Sequence, residues 1–287
     1  MTAPRAEPLA AGPGVQVTRF VCGAGPRDRP YPEEHVRPCM SVVLAGSFCY
    51  RCRDRMHALV PGSVMLGEPG EGFECSHEHG VGDVCLSVSL SDALLDAVAS
   101  ECAAPGRLFA APSLPPRPRI VGLARALAGA AGGGGAIDEL ALRLAGEVLR
   151  ELAAHAGRPP RATVSTASDR GRAIAAARFL AEHAAEPLTL EATAQAVGLS
   201  TFHFLRVFRR VFGVTPHQYL VQRRVERAAA RLLESDVPVT ELAFEVGFGD
   251  LSNFVRTFHR LLGAPPGKFR RAYGRGKIRQ VEARGRD

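Results

Sequence analysis

Apolar and polar positions follow two different periods along the chain, and the change between them falls after Leu90. From Val15 to Leu90, short apolar or alternating segments are separated by Gly and Pro. This pattern predicts short β-strands, including a hairpin in which residues 40–44 meet residues 48–52 across the turn at 45–47. Many short, regularly punctuated strands are typical of a small barrel or sandwich.

Helical spacing begins at Ser91, a favourable N-cap residue, and predicts a helix from Asp92 to Ala103. Further along, segment 137–152 carries apolar residues at i, i+3, i+4 and i+7. Such a stripe covers the core of its own domain, or it forms a subunit interface through which a signal changes dimer geometry. Residues 157–168 are rich in Pro, Ser and Thr, which predicts a linker between domains.

The C-terminal part contains an internal repeat. Residues 190–199 match residues 239–248 at an offset of 49, and residues 204–208 match residues 254–258 at an offset of 50. Each copy predicts a short helix, a glycine after its last turn and a second helix with a cationic outer face. A long helix starting at Thr215-Pro216 joins the copies. Two helix-turn-helix units with this geometry are suited to insertion into a DNA major groove.

Charge and cysteine are distributed unequally between the two parts. Residues 169–287 contain 20 Lys and Arg against 12 Asp and Glu, a net charge of +8, whereas residues 1–168 have a net charge of −1. A basic domain attached to a neutral one indicates nucleic-acid binding, although a membrane surface or an acidic partner fits the same charge. All seven cysteines lie in the first 102 residues, and their odd number favours reduced thiols.

The composition excludes several classes of protein. Apolar residues make up 46% and charged residues 23% of the chain, which is ordinary globular usage. No stretch approaches the roughly 18 uncharged apolar residues of a membrane span, and the N-terminal residues have no apolar signal core. We therefore expect a cytoplasmic protein that does not bind a membrane.

The repeat resembles the DNA-binding domain of the AraC family of bacterial transcriptional regulators over roughly Arg170 to Tyr273. The motifs that carry the resemblance are Gly198-Leu199-Ser200, Phe208-Arg209-Arg210, Thr215-Pro216-His217-Gln218-Tyr219, the block from Glu241 to Phe248, Phe254-Val255-Arg256-Thr257-Phe258 and the block from Pro265 to Arg270. The resemblance implies sequence-specific regulation of transcription, with RNA polymerase as a partner, no enzymatic activity and an effector-sensing N-terminal domain.

The resemblance also assigns the DNA contacts. The family's base-reading positions fall on Phe202, Leu205, Arg206, Leu251, Ser252, Val255 and Arg256. The residues expected to contact phosphates are Arg209, Arg210, Arg223, Arg224, Arg260 and Lys268. Many members have Gln at position 251 and a polar residue at position 255, so contact with thymine methyl groups is expected here instead of amide hydrogen bonds to adenine.

The strand pattern, with Pro61-Gly62-Ser63-Val64-Met65-Leu66 followed by Pro69-Gly70, resembles the cupin-like sensor barrel of many AraC-type regulators. The predicted fold class is therefore α+β with two domains: a cupin-like β-barrel plus helices, and an all-α double helix-turn-helix domain. The predicted boundaries are a disordered N-terminus at 1–14, a sensor and dimerisation domain at 15–156, the linker at 157–168, the DNA-binding domain at 169–273 and a flexible basic tail at 274–287.

One segment of the barrel carries metal-ligand chemistry. If a strand runs through Cys75, His77 and His79, these side chains share one face and offer a thiolate and two imidazoles to Zn²⁺ or a similar metal. The alternative is packing and loop hydrogen bonding, with no cofactor. Cupin enzymes use a His-x-His pair plus a carboxylate, and Asp83 follows closely. A second interpretation of the chain is therefore a metal-dependent cupin enzyme fused to a DNA-binding domain.

The leading interpretation is a DNA-binding regulator whose barrel senses a small molecule, a metal or a thiol-reactive agent. Its expected partners are an operator in double-stranded DNA, that effector, RNA polymerase and a second copy of the chain. Cys49 and Cys52 form a CxxC pair, but on a strand they point to opposite faces, which argues against joint redox or metal chemistry. A third interpretation, a structural chromatin protein, predicts equal affinity for all DNA sequences.

Overall fold

The computed structural model describes residues 4–102, 109, 111–130, 134–155 and 165–274. The predicted fold class is confirmed: strands dominate the N-terminal part, and the C-terminal part is helical. The strands are β1 (Arg5–Gly12), β2 (Val15–Cys22), β3 (Pro32–Glu34), β4 (Cys39–Gly46), β5 (Phe48–Cys52), β6 (Arg55–Leu59), β7 (Val64–Gly67), β8 (Gly72–Ser76), β9 (Asp83–Leu90) and β10 (Ser113–Leu114). They form a six-stranded sheet in the order β1-β2-β9-β4-β7-β10 and a four-stranded sheet in the order β3-β8-β5-β6.

The N-terminal segment is ordered, so the prediction of a disordered 1–14 is wrong from residue 5 onward. Strand β1 pairs antiparallel with β2, with Gly12 opposite Val15 across a two-residue turn in which Gly14 has φ of 87°. Strand β1 could not be predicted from the sequence because Pro and Ala interrupt the alternation of apolar and polar residues. Pro8 is tolerated because it lies beside a register shift on an edge strand.

The predicted hairpin between 40–44 and 48–52 is also wrong. Strand β4 pairs with β7 and β9 in the larger sheet, whereas β5 pairs with β6 and β8 in the smaller one. The chain crosses between the sheets at Gly46, where φ is 74° and a Cβ would lie 2.1 Å from the carbonyl oxygen of Gly82. Instead β5 and β6 form the hairpin, and Arg53 and Asp54 both take positive φ in its two-residue turn.

Three helices cover one face of the larger sheet: α1 (Asp92–Glu101), α2 (Pro118–Gly129) and α3 (Gly134–His155). The apolar stripe of segment 137–152 lies on α3 and is buried in the same core as Val17, Val42 and Val88 of the sheet. It therefore covers its own domain's core. The alternative, a subunit interface that changes dimer geometry through this stripe, is wrong because the stripe is already buried within one chain.

The C-terminal part contains α4 (Ala167–Glu182), α5 (Leu190–Ala196), α6 (Thr201–Phe212), α7 (Pro216–Glu234), α8 (Val239–Glu245), α9 (Leu251–Leu262) and α10 (Pro266–Tyr273). The helix α4 was not predicted, and its buried face is mostly alanine. Most of the predicted linker 157–168 lies outside the described residues, as does the tail after Gly274. None of the helices in the described ranges has the length and apolar character that a membrane span needs.

Helix α2 forms one contact between the two parts of the molecule, and β6 forms another with α6. Helix α2 packs against β4 of the barrel and also against α7 and α9 of the C-terminal part. A charged group is buried at this junction: Glu226 of α7 is 1% exposed and forms an ion pair with Arg223 one turn earlier. Arg125 of α2 adds a second cation, and its guanidinium donates a hydrogen bond to the carbonyl oxygen of Leu44 in β4.

Candidate functional site

Each repeat forms a short helix, a glycine turn and a second helix. In the first unit the side chain of Thr189 caps α5 by accepting a hydrogen bond from the backbone N–H of Ala192 at 3.1 Å. Gly198 after α5 and Gly247 after α8 have φ of 66° and 96°, a conformation that glycine adopts at little cost. The sequence repeat therefore corresponds to two structural copies, α5–α6 and α8–α9.

Aromatic side chains pack on the buried face of the second helix of each unit and hold that helix in place. In the first unit the rings of Phe208 and Tyr219 meet edge to face at 5.6 Å. In the second unit Phe254 and Phe258 meet edge to face at 5.7 Å, and Phe269 of α10 extends the cluster. These rings are buried in two separate cores. The opposite faces of α6 and α9 are consequently held outward as rigid surfaces.

None of the predicted base-reading residues is fully buried, although Leu251 and Val255 pack partly against the core of the second unit. On α6, Phe202 is 76% exposed, Arg206 is exposed and Leu205 is half-buried. On α9, the exposed residues are Ser252 and Arg256, and the half-buried ones are Leu251 and Val255. Each face carries one predicted base-reading arginine, Arg206 or Arg256, and each helix has a second exposed arginine, Arg209 or Arg260. Contact of these residues with bases stays a prediction.

The six predicted phosphate contacts divide into two groups. Arg209, Arg260 and Lys268 are exposed on the C-terminal part, where they can meet a phosphate backbone. The other three arginines have partners within the chain, as described below. Phosphate contacts carry no sequence information but govern salt dependence.

Arg210, Arg223 and Arg224 have partners within the chain, and their contact with phosphates stays a prediction. Arg210 lies 3.5 Å from the carboxylate of Asp169 on α4. Arg223 forms an ion pair with the buried Glu226. Arg224 donates to two backbone carbonyls at the end of α4, from Nε to Ala184 at 2.6 Å and from Nη2 to Glu186 at 2.8 Å. Periodicity in the sequence could not reveal these intrachain contacts of Arg223 and Arg224.

A second candidate site is a cavity of about 520 Å³ between the two sheets of the barrel. Alternation along β2 explains why it exists. Val15 and Val17 point into the core under α3, whereas Thr18, Phe20 and Cys22 line the cavity. The larger sheet is thus apolar toward the helices and mixed in polarity toward the cavity, which is the composition of a small-molecule site.

His35 shows the electrostatic character of this cavity. Its ring stacks on Phe73 at 4.1 Å, and its Nε2 lies 3.1 Å from the hydroxyl of Tyr50. Burial lowers the pKa of His35 to about 4, so the imidazole is neutral at physiological pH. Gly67 leaves room for this ring, since a Cβ there would lie 2.3 Å from it. The cavity therefore favours neutral groups along this wall.

The structure does not bring Cys75, His77 and His79 together as predicted. Strand β8 ends at Ser76, so the period of two that would align these side chains is lost. His79 instead lies against α4, where its carbonyl oxygen accepts a hydrogen bond from Arg178 at 2.5 Å. Only His77 of the three belongs to the group of potential metal ligands found in the described residues.

That group consists of Cys22, His77 and Asp83, whose donor atoms all lie within 4.8 Å of one another. Cys22 was not among the predicted ligands. It lies opposite Asp83 in the pairing of β2 with β9, two strands that are neighbours in the sheet but far apart in the sequence. The alternation along β2 places Cys22 on the same face as Thr18 and Phe20. Its proximity to Asp83 could be predicted only if β9 were known to be the neighbouring strand.

Comparison with known proteins identifies the DNA-binding part. A family profile described as "Helix-turn-helix domain" matches residues 193–272. The multiple antibiotic resistance protein MarA of Escherichia coli is 31% identical over 101 residues, which cover 35% of this chain and 80% of MarA. The chain belongs to the AraC family of transcriptional regulators.

Two solved structures are similar to the AraC-type part. The DNA-binding domain of AdpA in complex with a target DNA is 32% identical and has a TM-score of 0.34, covering 36% of this chain and 92% of that one. An AraC-type regulator from Chromobacterium violaceum is 22% identical with a TM-score of 0.36, covering 38% of this chain and 98% of that one.

Membership of the AraC family settles the class of function. The family and the relatives are transcriptional regulators and not enzymes, so this protein is a DNA-binding regulator. The interpretation as a metal-dependent cupin enzyme fused to a DNA-binding domain is accordingly set aside. The predictions of a helix-turn-helix DNA-binding function and of DNA as a partner are confirmed.

Proposed function

We propose that this AraC-family protein is an effector-responsive regulator that reads two successive major-groove segments with one chain. The observation that carries the proposal is the pair of exposed faces on α6 and α9, which present Arg206 and Arg256, on units joined by the single helix α7. Successive major-groove segments on one side of a duplex are about 34 Å apart. A continuous helix between the units fixes their spacing, so both second helices can engage together.

Arg206 and Arg256 supply the sequence preference in this proposal. A guanidinium can donate two hydrogen bonds to the O6 and N7 atoms of guanine, which contributes about 1–3 kcal/mol of discrimination. Leu205, Leu251 and Val255 flank the arginines with apolar surface that suits thymine methyl groups. Arg209, Arg260 and Lys268 contribute the part of the affinity that depends on salt.

The barrel cavity is the effector site in the same proposal. A ligand between the two sheets would contact β4, and β4 packs on α2. Because α2 also contacts α7 and α9, a shift in the barrel reaches both the connecting helix and the second unit. The buried ion pair of Arg223 and Glu226 lies on this path. The working compartment is the cytoplasm, and RNA polymerase is the expected partner at the promoter.

A homodimer stays a prediction, with an interface that does not include the buried stripe of α3. Size measurement of the full chain with and without DNA tests it. A monomer under both conditions would remove the dimer from the proposal and leave the reading of two groove segments by one chain unchanged.

Selection from a pool of random duplexes by the full chain tests the proposal. We expect two blocks of preferred bases with centres about 10 base pairs apart, one for each unit. The variant Arg256→Ala should relax only one block, and Arg206→Ala should relax only the other. A single block, or no preference over scrambled duplexes, would overturn the two-segment proposal.

A further inference from the structure

The group of Cys22, His77 and Asp83 forms part of one wall of the barrel cavity. Cys22 ends β2, Asp83 begins β9 as its direct register partner, and His77 follows β8 of the other sheet. The Nε2 atom of His77 lies 2.6 Å from a carboxylate oxygen of Asp83, and these side chains are only 5% and 8% exposed. Both sheets thus converge on one point.

The surroundings of this point favour a bound cation. The carboxylate of Asp83 is buried, and the Cys85 thiol donates to its second oxygen at 3.2 Å. The His77 imidazole is the partner of the buried Asp83 carboxylate, and the thiols of Cys22, Cys75 and Cys85 line the same cavity.

We propose that Cys22, His77 and Asp83 bind a divalent transition-metal ion of the zinc class. A thiolate, an imidazole and a carboxylate are the three ligand types that Zn²⁺ takes in proteins. The fourth position of a tetrahedral ion faces the cavity, where water or an effector can occupy it. This set shares only His77 with the set that the sequence predicted.

Metal binding changes the local geometry in a defined way. Two ligand atoms on a tetrahedral zinc ion, each about 2.0–2.1 Å from it, stand about 3.3 Å apart. The hydrogen bond between His77 and Asp83 is shorter than that, at 2.6 Å. The ion therefore replaces this hydrogen bond and moves the two groups apart by about 0.7 Å.

His77 and Asp83, the two displaced groups, lie at the ends of a loop that contacts the DNA-binding part. Within residues 77–83, the carbonyl oxygen of His79 accepts a hydrogen bond from Arg178 of α4. The His79 ring also lies against α4, since a Cβ on Gly171 would be 3.0 Å from it. Metal occupancy thus acts on α4 as well as on the cavity. This regulatory consequence rests on the proposed function, whereas the metal site itself does not.

The test uses the full chain, first stripped with a chelator and then loaded with ZnCl2 or CoCl2. We expect one ion per chain after gel filtration and, with Co²⁺, an absorption band from thiolate-to-metal charge transfer. The variants Cys22→Ser and His77→Ala should each weaken binding by at least about 100-fold, and Cys22→Ser should also abolish the charge-transfer band.

Matched controls separate the site from general thiol or imidazole binding. Cys102→Ser removes a thiol that contacts the carbonyl oxygen of Gly146 on α3, and His57→Ala removes an imidazole from β6. Both controls should bind one ion with unchanged affinity. Circular dichroism checks that each variant folds, and Cys22 is suited to this test because it is only half-buried.

Three results overturn the inference or part of it. Absence of stoichiometric metal in the wild-type chain, or equal losses in the control variants, removes the metal site. If the metal binds but the duplexes selected and their affinity stay the same, the site stands and its regulatory consequence falls. If no metal binds and selection still returns two blocks, the inference fails while the proposed function stands.

Discussion

Gly198 and Gly247 occupy the same position in the two helix-turn-helix units, yet their surroundings differ. Among the described residues, no atom beyond the chain neighbours lies within 4 Å of a Cβ built on Gly198. A Cβ on Gly247 would lie 2.8 Å from the carbonyl oxygen of Ala185 and 2.9 Å from that of Ala184. The first glycine is needed for its backbone conformation alone, and the second also for a close approach to the end of α4.

The ends of α6 and α9 extend this difference between the units. A Cβ on Gly213 after α6 would be 3.3 Å from the ring of Pro115, whereas a Cβ on Gly263 after α9 would be 2.9 Å from the guanidinium of Arg119 on α2. Leu262 also packs against Gly122 of α2. Copies with the same sequence pattern therefore meet the barrel side of the molecule at different points, and the second unit contacts α2 directly.

The largest expected effect comes from substitution of the two turn glycines. Gly247→Ala should lower the free energy of unfolding by about 2–5 kcal/mol, since positive φ costs an alanine about 1–2 kcal/mol and the carbonyl clash adds about 1–3 kcal/mol. Gly198→Ala should cost only the first contribution, about 1–2 kcal/mol. Urea denaturation of both variants measures the difference, and equal losses would contradict the distinction between the units.

Substitution of the two outward arginines compares the units in DNA binding. Arg206→Ala and Arg256→Ala should each weaken binding to the selected duplex by about 1–3 kcal/mol, or roughly 5- to 150-fold, because a bidentate contact to guanine is lost. Arg206→Lys and Arg256→Lys keep the charge but not the paired donors, so they should recover little of the preference. Titration against matched and mismatched duplexes measures this, and full recovery by lysine would indicate phosphate contact only.

The helix caps predict a smaller difference in stability. Asp250 accepts a hydrogen bond from the backbone N–H of Asn253 at 2.7 Å, while Ser200 accepts one from His203 at 3.4 Å. Asp250→Ala should cost about 1.5 kcal/mol, because the cap is short and its charge favours the helix N-terminus. Ser200→Ala should cost about 0.5 kcal/mol. Thermal or urea unfolding measures both losses of stability. Equal losses, or a larger loss for Ser200→Ala, would contradict the expected effect of cap geometry.

Salt dependence gives the smallest expected change per variant. Arg209→Ala on the first unit and Arg260→Ala on the second should each reduce the slope of log affinity against log salt by about 0.9, because one phosphate contact is lost. Arg224→Ala is the matched control, since its guanidinium bonds the carbonyls of Ala184 and Glu186. It should lower stability and leave the slope unchanged. A lower slope for Arg224→Ala would return it to the phosphate contacts.

Local signals explain which elements could be predicted. The second helix of the first unit could be predicted because α6 has local signals at both ends: Ser200 caps it, and Gly213 ends it in the left-handed conformation. The Thr215-Pro216 start of α7 is reinforced by a capping box with Gln218. In contrast, α4 was missed because Ala173, Ala176 and Ala177 bury their face with little apolar contrast.

The two candidate sites also differ in whether the sequence alone could predict them. The outward faces of α6 and α9 follow from helical period within one element. The metal-ligand group does not, because it needs the register of β2 on β9 to place Cys22 opposite Asp83. The partners of Arg223 and Arg224 were equally hidden, since a guanidinium on a helix surface looks the same in sequence whether it meets phosphate, a buried carboxylate or a carbonyl.

The amino-acid sequence by itself determined the duplicated helix-turn-helix units, the glycines that allow them, the basic C-terminal part and the family. These features depend on contacts between residues a few positions apart, which caps, periodicity and repeats record directly. Tertiary structure alone decided the assignment of β4 and β5 to different sheets, the burial of the α3 stripe and the meeting of Cys22, His77 and Asp83. Those outcomes depend on pairing between distant segments, where many registers satisfy the same local pattern and only packing of the whole chain selects one.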